Sequence, residues 1–335
     1  MLHCRILISG ADVRRREFIG LIGSAAAWPL ATRAQEAGRI YRLGLLVPAS
    51  RETPSIAAFF DELRGSGFVE GQNLKIVAGG FGLRNDQLPE AVAAIAKSSP
   101  DLVFSSGGDY FLRTAQEAIR AVPIVGISSD MVAAGVVKSL ARPGGNITGI
   151  TVLSSEIDGK RQDILMEAVP GASRMAILAD PSNTVPARLE MLQDAARGRG
   201  VELVVFTART PEEIPPAMNQ IKASGAAAVN VLGGPMFAAN RGLLIERATS
   251  LRLPAIFELP EAAEEGLLVG YGPRFSLLFR QAARMVVKVL RGAKPAEIPV
   301  EQPTIFELVI NLKTAKVIGH EVPAGLLLRA DKVIE

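Results

Sequence analysis

The sequence predicts an α/β protein made of two similar lobes, each with a doubly wound parallel sheet, that are joined by a hinge. Short apolar segments alternate with longer amphipathic ones, a pattern typical of β-α units and parallel strands. The same order of segments occurs twice in 335 residues, a length at which two domains are common. A long amphipathic segment follows the second set and indicates that the chain returns to the first lobe.

The first half of the chain contains four apolar segments that are predicted to be buried strands. They are RLGLLV (42–47), NLKIVAG (73–79), DLVFSS (101–106) and PIVGIS (123–128). Stretches with helical periodicity lie between them, at 54–64, 87–97 and 110–120. The Pro-Gly-Gly-Asn turn signal in ARPGGNITGIT (141–151) is expected to mark the junction between the lobes.

The second half repeats this scheme. Its predicted strands are RMAILAD (174–180), ELVVF (202–206), AAVNVLG (227–233) and PAIFEL (254–259). The segment AVAAIAKSSPDLVFSSGG (91–108) aligns without a gap with AMNQIKASGAAAVNVLGG (217–234), which lies 126 residues later. The predicted strands of the two halves coincide in this alignment, which indicates an internal repeat of one α/β unit.

The C-terminal part departs from the repeat. An amphipathic helix is predicted at 273–292, and a strand with a short helix at 303–319. We therefore expect a first lobe at 35–149 that is completed by about 272–300. The second lobe is expected at 150–271, completed by about 301–335.

Residues 1–34 are predicted to be a removable export segment, in which residues 13–34 are the signal itself. The stretch RRREFIGLIGSAAAWPLATRAQE (14–36) has a basic start, a short apolar run and small residues before Gln35. Arg15-Arg16-Glu17-Phe18-Ile19 resembles the twin-arginine signature. No stretch is apolar for the length that a transmembrane helix needs. Cleavage near Ala34 and a periplasmic location follow as expectations.

Removal of that segment changes the chemistry available to the protein. The single Cys, the single Trp and one of the two His residues lie within it. It also holds five of the 37 Lys and Arg residues and two of the 34 Asp and Glu residues, which leaves 32 of each. A balanced chain has no basic surplus for nucleic acid. With few His and no Cys, and without nucleotide or catalytic motifs, the sequence predicts no catalytic residues, no metal site and no cofactor.

A small-molecule site is expected between the lobes, because ligands of open parallel sheets bind beyond the carboxyl ends of the strands. The loops after the predicted strands hold hydroxyls, amides, carboxylates and glycines suited to an anionic or ammonium group. The candidate ligand-binding residues are Ser50, Ser105, Ser106, Gly107, Tyr110, Ser129, Asp130, Asn183, Thr184, Gly234, Glu258 and Tyr271. Glu261, which occupies the place of Asp130 in the repeat, is a further acidic group suited to an ammonium.

Several segments carry a family resemblance. They are the signal-like segment, GFVEGQNL (67–74), SLARPGGNITG (139–149), VGYGP (269–273) and FELVINLKTAKVIG…VPAGLLLRADKVIE (306–335). In these the chain resembles ABC-transporter substrate-binding proteins of the tryptophan/tyrosine transport group. The resemblance implies a type I periplasmic-binding-protein fold and a non-catalytic receptor that delivers a small solute to an inner-membrane permease.

The sequence therefore predicts a periplasmic solute-binding protein for an ABC importer, acting as a monomer on a solute such as an amino acid or aromatic compound. An exported binding protein that serves a signalling receptor is the first alternative. A two-lobed exported enzyme is the second, since a carboxylate pair such as Asp130 and Glu258 is suited to acid/base work.

Overall fold

The computed structural model describes residues 38–152 and 154–335, and the predicted export segment lies outside these residues. Its strands are β1 (Tyr41–Leu46), β2 (Leu74–Gly80), β3 (Leu102–Ser105), β4 (Ile124–Ser128), β5 (Ile147–Thr151), β6 (Arg174–Ala179), β7 (Glu202–Thr207), β8 (Val229–Val231), β9 (Ala255–Phe257), β10 (Val269–Gly272), β11 (Glu307–Asn311) and β12 (Lys332–Ile334). Its helices are α1 (Pro54–Gly65), α2 (Leu88–Lys97), α3 (Gly108–Ala118), α4 (Ser154–Ala168), α5 (Pro186–Arg197), α6 (Ile214–Ala223), α7 (Pro235–Ala239), α8 (Arg241–Ser250), α9 (Pro260–Glu265), α10 (Phe275–Leu290), α11 (Leu312–Ile318) and α12 (Ala324–Leu327).

The first lobe is built on a five-stranded sheet in the order β2-β1-β3-β4-β5. All of its pairs are parallel. Helices α1 and α10 cover one face, where Phe59 stacks on Phe104 at 4.2 Å between ring centroids. Helices α2 and α3 cover the other face through residues such as Leu88 and Phe111. Apolar side chains on both faces explain why its strands read as continuous apolar runs.

The second lobe is built on a seven-stranded sheet in the order β12-β11-β10-β9-β8-β6-β7. Its pairs are parallel except for β10 and β11, which run antiparallel. The predicted fold class, two α/β lobes with parallel sheets, is confirmed. The antiparallel pair is an addition that the strand pattern did not predict, and it arises because β11 enters the sheet after the chain has returned from the first lobe.

Three connections join the lobes: the one between β5 and α4, the one between β10 and α10, and the segment from Glu301 to β11. Helix α10 follows a strand of the second sheet, yet Phe279 on it meets Phe104 of β3 edge-on at 5.9 Å. Glu301 bridges to Ile150 of β5 before the chain enters β11. Tyr271 in β10 and Phe306, which lies on the connection from Glu301 to β11, stack at 6.4 Å.

The internal repeat is visible in the elements. A 3-10 turn at Asn85–Gln87 leads into α2, and a 3-10 turn at Pro211–Glu213 leads into α6, 126 residues later. Both helices have a proline in the first turn, where its missing N–H group has no intrahelical partner to lose. The gapless alignment of the two halves therefore corresponds to equivalent positions in the two lobes.

Helix α10 is the longest helix of the part that the structure describes. It starts after Pro273 and ends before Gly292, whose φ of +100° a glycine adopts without strain. No helix in the ranges 38–152 and 154–335 combines the length and apolar character required to cross a membrane.

Candidate functional site

Two adjoining cavities lie between the lobes at the carboxyl ends of the strands. The larger has a volume of about 140 Å³ and the smaller about 40 Å³. Both are lined by Ser106 from the first lobe, Pro235 from the second, and Phe275 and Phe279 from α10. Because residues of both lobes line each cavity, a molecule bound there contacts both lobes at once.

The larger cavity has an apolar wall. This wall is formed by Pro48, Ala49, Pro54, Pro235, Ala238, Leu259, Phe275 and Phe279. Phe275 and Phe279 lie one turn apart at the start of α10, so they present adjacent rings to the cavity. An aromatic or aliphatic group fits such a wall, since removing apolar surface from water contributes about 25 cal/mol per Å².

Among the described residues, four buried polar atoms in the strand, helix and loop segments around the cavities have no hydrogen-bond partner. They are Oγ of Ser105, Oδ1 of Asn183, Oγ1 of Thr184 and Oε2 of Glu261. Asn183 Oδ1 lies 2.8 Å from the position that a Cβ atom on Gly108 would take, which puts it beside the smaller cavity. Because buried polar atoms in proteins are nearly always paired, these four are suited to a polar ligand.

Glu261 lies in α9 and lines the larger cavity. Its Oε1 accepts the backbone N–H of Phe275 at 3.0 Å, which fixes the carboxylate against the start of α10 and leaves Oε2 free. Burial raises the pKa of Glu261, while the nearby Arg274 opposes that shift. Arg274 is itself engaged by Glu264 and Glu307, at 2.9 and 2.7 Å. Its positive charge is therefore compensated outside the cavity.

Glu258 lines the smaller cavity and belongs to a buried set of charges in the second lobe. Its Oε1 accepts the N–H of Gly234 at 3.0 Å, so it fixes the loop that follows β8. Behind it Asp158, which is fully buried, binds both Arg161 and Arg188. Burial is the main cause that raises the pKa of Glu258, and the charge of Arg161 counteracts it.

Asp109 is a buried carboxylate of the first lobe. It accepts hydrogen bonds from the hydroxyl of Ser128 and, at 3.1 Å, from the N–H of Ser129. Burial raises its pKa in spite of these bonds. Asp109 thus orders the loop after β4, from which Ser128 and Ser129 line the smaller cavity.

The structure brings together part of the predicted set. Ser106, Ser129, Gly234 and Glu258 line the cavities, and Ser105, Asn183 and Thr184 carry three of the unpartnered atoms. That each contacts a ligand stays a prediction.

The other predicted residues have structural contacts elsewhere. Ser50 is exposed, and its carbonyl accepts the N–H of Thr53. Asp130 closes a turn by accepting the N–H groups of Val132 and Ala133. A Cβ atom on Gly107 would stand 2.1 Å from the ring of Phe111, so close packing requires this glycine.

The two tyrosines of the predicted set lie apart from the cavity walls. Tyr110 packs against the core of the first lobe and meets Phe111 edge-on. Tyr271 lies at the hinge, where its ring stacks on Phe306.

Sequence reasoning did not identify Pro54, Phe275 and Phe279 as wall residues. The phenylalanines lie on α10, which follows a second-lobe strand but packs on the first lobe, and its amphipathic pattern does not distinguish wall residues from core residues. The signal that identifies them is their place at the start of the segment, from about residue 272, that is predicted to return to the first lobe.

Comparison with known proteins identifies the family. The family model described as ABC transporter substrate binding protein matches residues 56–334. The chain belongs to this family. A curated relative, the tyrosine-binding protein of Clostridioides difficile (strain R20291), is 25% identical over 271 residues, which is 78% of this chain and 76% of the relative.

Solved structures share the fold of this substrate-binding protein. A conserved domain protein from Vibrio cholerae has a TM-score of 0.78 at 23% identity, covering 88% of this chain and 100% of its own. The ABC domain in complex with L-Trp from Streptococcus pneumonia has a TM-score of 0.73 at 21% identity, covering 87% and 100%. A myo-inositol binding protein from Caulobacter has a TM-score of 0.56 at 12% identity, covering 88% and 97%. The predicted type I periplasmic-binding-protein-like fold and the family prediction are confirmed.

Proposed function

We propose that this substrate-binding protein is an exported receptor for an α-amino acid with an aromatic or large apolar side chain, which it captures between its lobes for an ABC permease. The observation that carries the proposal is the cleft itself. An apolar wall with two phenylalanines lies beside four buried polar atoms that have no partner among the residues that the structure describes.

The chemistry of these atoms matches the two charged ends of an amino acid. The hydroxyls of Ser105 and Thr184 donate to a carboxylate. Glu261 Oε2 and Asn183 Oδ1 accept from an ammonium, since neither atom is a donor when the glutamate is ionised. Hydrogen bonds to charged groups are each worth about 1.5–3 kcal/mol. The side chain of the ligand then packs on Phe275 and Phe279.

Two relatives support this class of ligand. The curated relative is named for tyrosine, and one structural neighbour was solved with L-Trp. Both ligands combine an α-amino acid with an aromatic ring, as the cleft requires. A signalling receptor or an enzyme has no comparable support from the contacts of the cleft.

We propose that delivery works by hinge closure, which the two-lobed architecture supports. We assign residues 35–149 and about 272–300 to one lobe, and 150–271 and about 301–335 to the other. A ligand that touches both lobes favours their closed arrangement, because its contacts are complete only there. The permease is proposed to recognise that arrangement in a monomeric receptor.

The N-terminal segment is the basis for proposing that the protein is exported from the cytoplasm. Residues 13–34 have the three parts of an export signal, with cleavage proposed near Ala34. Transport out of the cytoplasm by the twin-arginine route is tested by fractionating cells that produce the wild-type chain or the R15K/R16K variant. Retention of the variant in the cytoplasm supports the proposal, and equal export of both chains contradicts that route.

The ligand is tested by a thermal-shift and calorimetry screen of the twenty amino acids, with D-arabinose and myo-inositol for comparison. L-tyrosine, L-tryptophan and L-phenylalanine are expected to raise the melting temperature, because a ligand of the folded state stabilises it. Stabilisation by a sugar or polyol and by no amino acid would contradict the proposed class.

The Ser105→Ala variant sharpens that test. Loss of an unpartnered buried hydroxyl is expected to leave the ligand-free protein as stable as the wild type or more so, since no bond is lost. Affinity for the amino acid is expected to fall about tenfold or more, because the ligand loses a charged hydrogen bond. Ser98→Ala is the matched control, since the Ser98 hydroxyl caps the carbonyl of Ile95 away from the cleft. Equal affinities of both variants would count against a role of Ser105.

A further inference from the structure

A strip of contacts outside the ligand cavities also joins the two lobes. Arg84 of the first lobe places Nη1 3.0 Å from Oε1 of Glu212 of the second. Beside this ion pair, Nδ2 of Asn85 donates to Oγ of Ser182 at 3.3 Å. None of these four residues lines either cavity. The strip is therefore a second place at which the lobes touch.

The two sides of the ion pair are equivalent parts of the repeat. Arg84 begins the 3-10 turn Asn85–Gln87, and Glu212 lies in the 3-10 turn Pro211–Glu213 of the other lobe. These turns lead into α2 and α6, so the ion pair joins the repeated turn-helix units of the two lobes.

Both turns are held locally, which presents the charged side chains in defined places. The N–H of Arg84 donates to the side chain of Gln87 at 3.0 Å, and the N–H of Arg209 donates to Glu213 at 2.7 Å. Asp86 lies 3.4 Å from the guanidinium of Arg84 and adds negative charge beside it. A hydrogen bond from the Thr210 side chain, a backbone hydrogen bond of Glu212 and the contact with Arg84 lower the pKa of Glu212.

A contact between lobes acts on the hinge equilibrium. Separation of the two lobes would part Arg84 from Glu212 and replace the ion pair with water contacts. The pair therefore stabilises the closed arrangement relative to the open one without touching the ligand. Since a receptor binds with an apparent affinity proportional to the fraction that is binding-competent, a change in the pair changes the affinity.

We propose that Arg84 and Glu212 form an electrostatic latch, an ion pair between the repeated 3-10 turns of the two lobes that favours closure and so sets the affinity for the ligand. This inference rests on the proposed function, in which closure accompanies binding. The latch makes affinity depend on ionic strength, because exposed charges are screened by salt.

The size of the effect is bounded by the exposure of the pair. The side chains are 46% and 66% exposed, and pairs of this kind change an equilibrium about 1.5- to 5-fold. Charge reversal at one side has a larger effect than loss of the pair, because it puts like charges opposite each other. Arg84→Glu also adds to the negative charge of Asp86.

The test is a charge-reversal cycle with R84E, E212R and the double variant R84E/E212R in the full chain. Arg197→Glu is the matched control, since Arg197 is exposed and pairs with Asp194 in its own helix, within one lobe. Dissociation constants for L-tyrosine and L-tryptophan are measured by calorimetry at low salt and at about 1 M NaCl, where the Debye length is about 3 Å.

Each single reversal is expected to weaken binding at low salt about threefold or more, and the double variant to recover most of the loss. These differences are expected to shrink at high salt, while R197E binds like the wild type throughout. A double variant that binds no better than the singles, or singles that match the wild type, would overturn the latch.

A second readout separates the latch from the proposed ligand. Small-angle scattering of the ligand-free proteins at low salt is expected to show a larger radius of gyration for each single variant than for the wild type and the double variant. If neither amino acid binds the wild type, the ligand class is wrong, and the scattering series still decides the latch. If the wild type, the two single variants and the double variant all have the same radius of gyration and, where an amino acid binds, the same affinity, then the Arg84–Glu212 pair has no role in closure.

Discussion

Gly108 in the first lobe lies against Asn183 in the second, so closely that a Cβ atom on Gly108 would stand 2.8 Å from Oδ1 of Asn183 and 3.0 Å from a ring carbon of Pro235. Asn183 is held in place because its Nδ2 donates to Asp180 at 3.0 Å. The contact lies beside the smaller cavity. The absence of a side chain at residue 108 therefore lets the lobes meet where the ligand is proposed to bind.

Gly108→Ala is expected to weaken ligand binding about tenfold, because overlap in a packed contact costs about 1–3 kcal/mol. The hinge can open to relieve the overlap, so we also expect the ligand-free variant to be more open. Calorimetry with L-tyrosine and L-tryptophan and scattering measurements check the two effects.

Gly135→Ala is the control for backbone strain in that experiment. Gly135 has a φ of +70°, close to the +73° of Gly108, but no atom lies within 4 Å of its added Cβ. Both substitutions carry the strain of a left-handed residue, and only one meets the other lobe. Equal loss of affinity in the two variants would show that strain, and not the contact between lobes, is responsible.

Most of the fold follows from the apolar pattern, because strands buried on both faces produce runs that the sequence shows directly. Three strands did not follow from it, and one of them is the short C-terminal strand β12. β5 lies in the turn-rich segment ITGIT, and β10 in VGYG has two glycines. Glycine is depleted in strands. Here it is required, because a Cβ on Gly149 would meet the backbone of Gly126 at 1.9 Å.

The site was less accessible to sequence reasoning. Ser105, Asn183 and Thr184 could be chosen as candidates because they lie at or after the ends of predicted strands. That their polar atoms have no hydrogen-bond partner is visible only in the structure. Phe275 and Phe279 were missed because their place in the wall depends on the path of α10 from one lobe to the other. Asp130 is predicted to be a ligand contact because it is a polar residue in a loop after a strand. Its carboxylate instead accepts the N–H groups of its own turn.

Glu261 predicts a pH dependence of binding. Burial raises its pKa, so the carboxylate gains its proton at a higher pH than an ordinary glutamate and loses its attraction for an ammonium there. Affinity is therefore expected to fall as the pH is lowered, beginning above the range in which free glutamate titrates. Calorimetry at a series of pH values measures the affinity of the wild type and of Glu261→Gln for the ligand.

The Gln variant is expected to bind more weakly at neutral pH and to show a flatter profile. Glu258 and Asp109, whose pKa values burial also raises, remain in both proteins, so only the difference between the two profiles reports on Glu261. Parallel profiles would mean that this carboxylate does not meet a cationic group of the ligand.

The buried ion cluster of the second lobe predicts a large loss of stability on Asp158→Ala. Asp158 is fully buried and binds Arg161 and Arg188, which are 1% and 5% exposed. Its removal leaves two buried guanidinium groups without their carboxylate, a change that costs about 3–5 kcal/mol. Urea unfolding measures this, with Asp163→Ala in the same helix as the control, since Asp163 pairs with the exposed Arg199. The control is expected to lose less than about 1 kcal/mol, and equal losses would argue against the cluster.

The lowered pKa of Glu264 leads us to predict how the stability of the folded protein changes in acid. The hydrogen bond from Arg274, with a further one from Lys332, lowers the pKa of Glu264 to about 2. The folded state therefore binds this proton less readily than the unfolded chain, whose glutamates titrate near 4.3. The stabilisation is fully present above that pH and is lost as the pH falls toward about 2. Wild type is expected to be more stable than Glu264→Gln at neutral pH, with a difference that narrows between about pH 4.5 and 2. Urea unfolding at a series of pH values measures the difference, and a gap that stays constant with pH would show that the charge of Glu264 does not stabilise the start of α10.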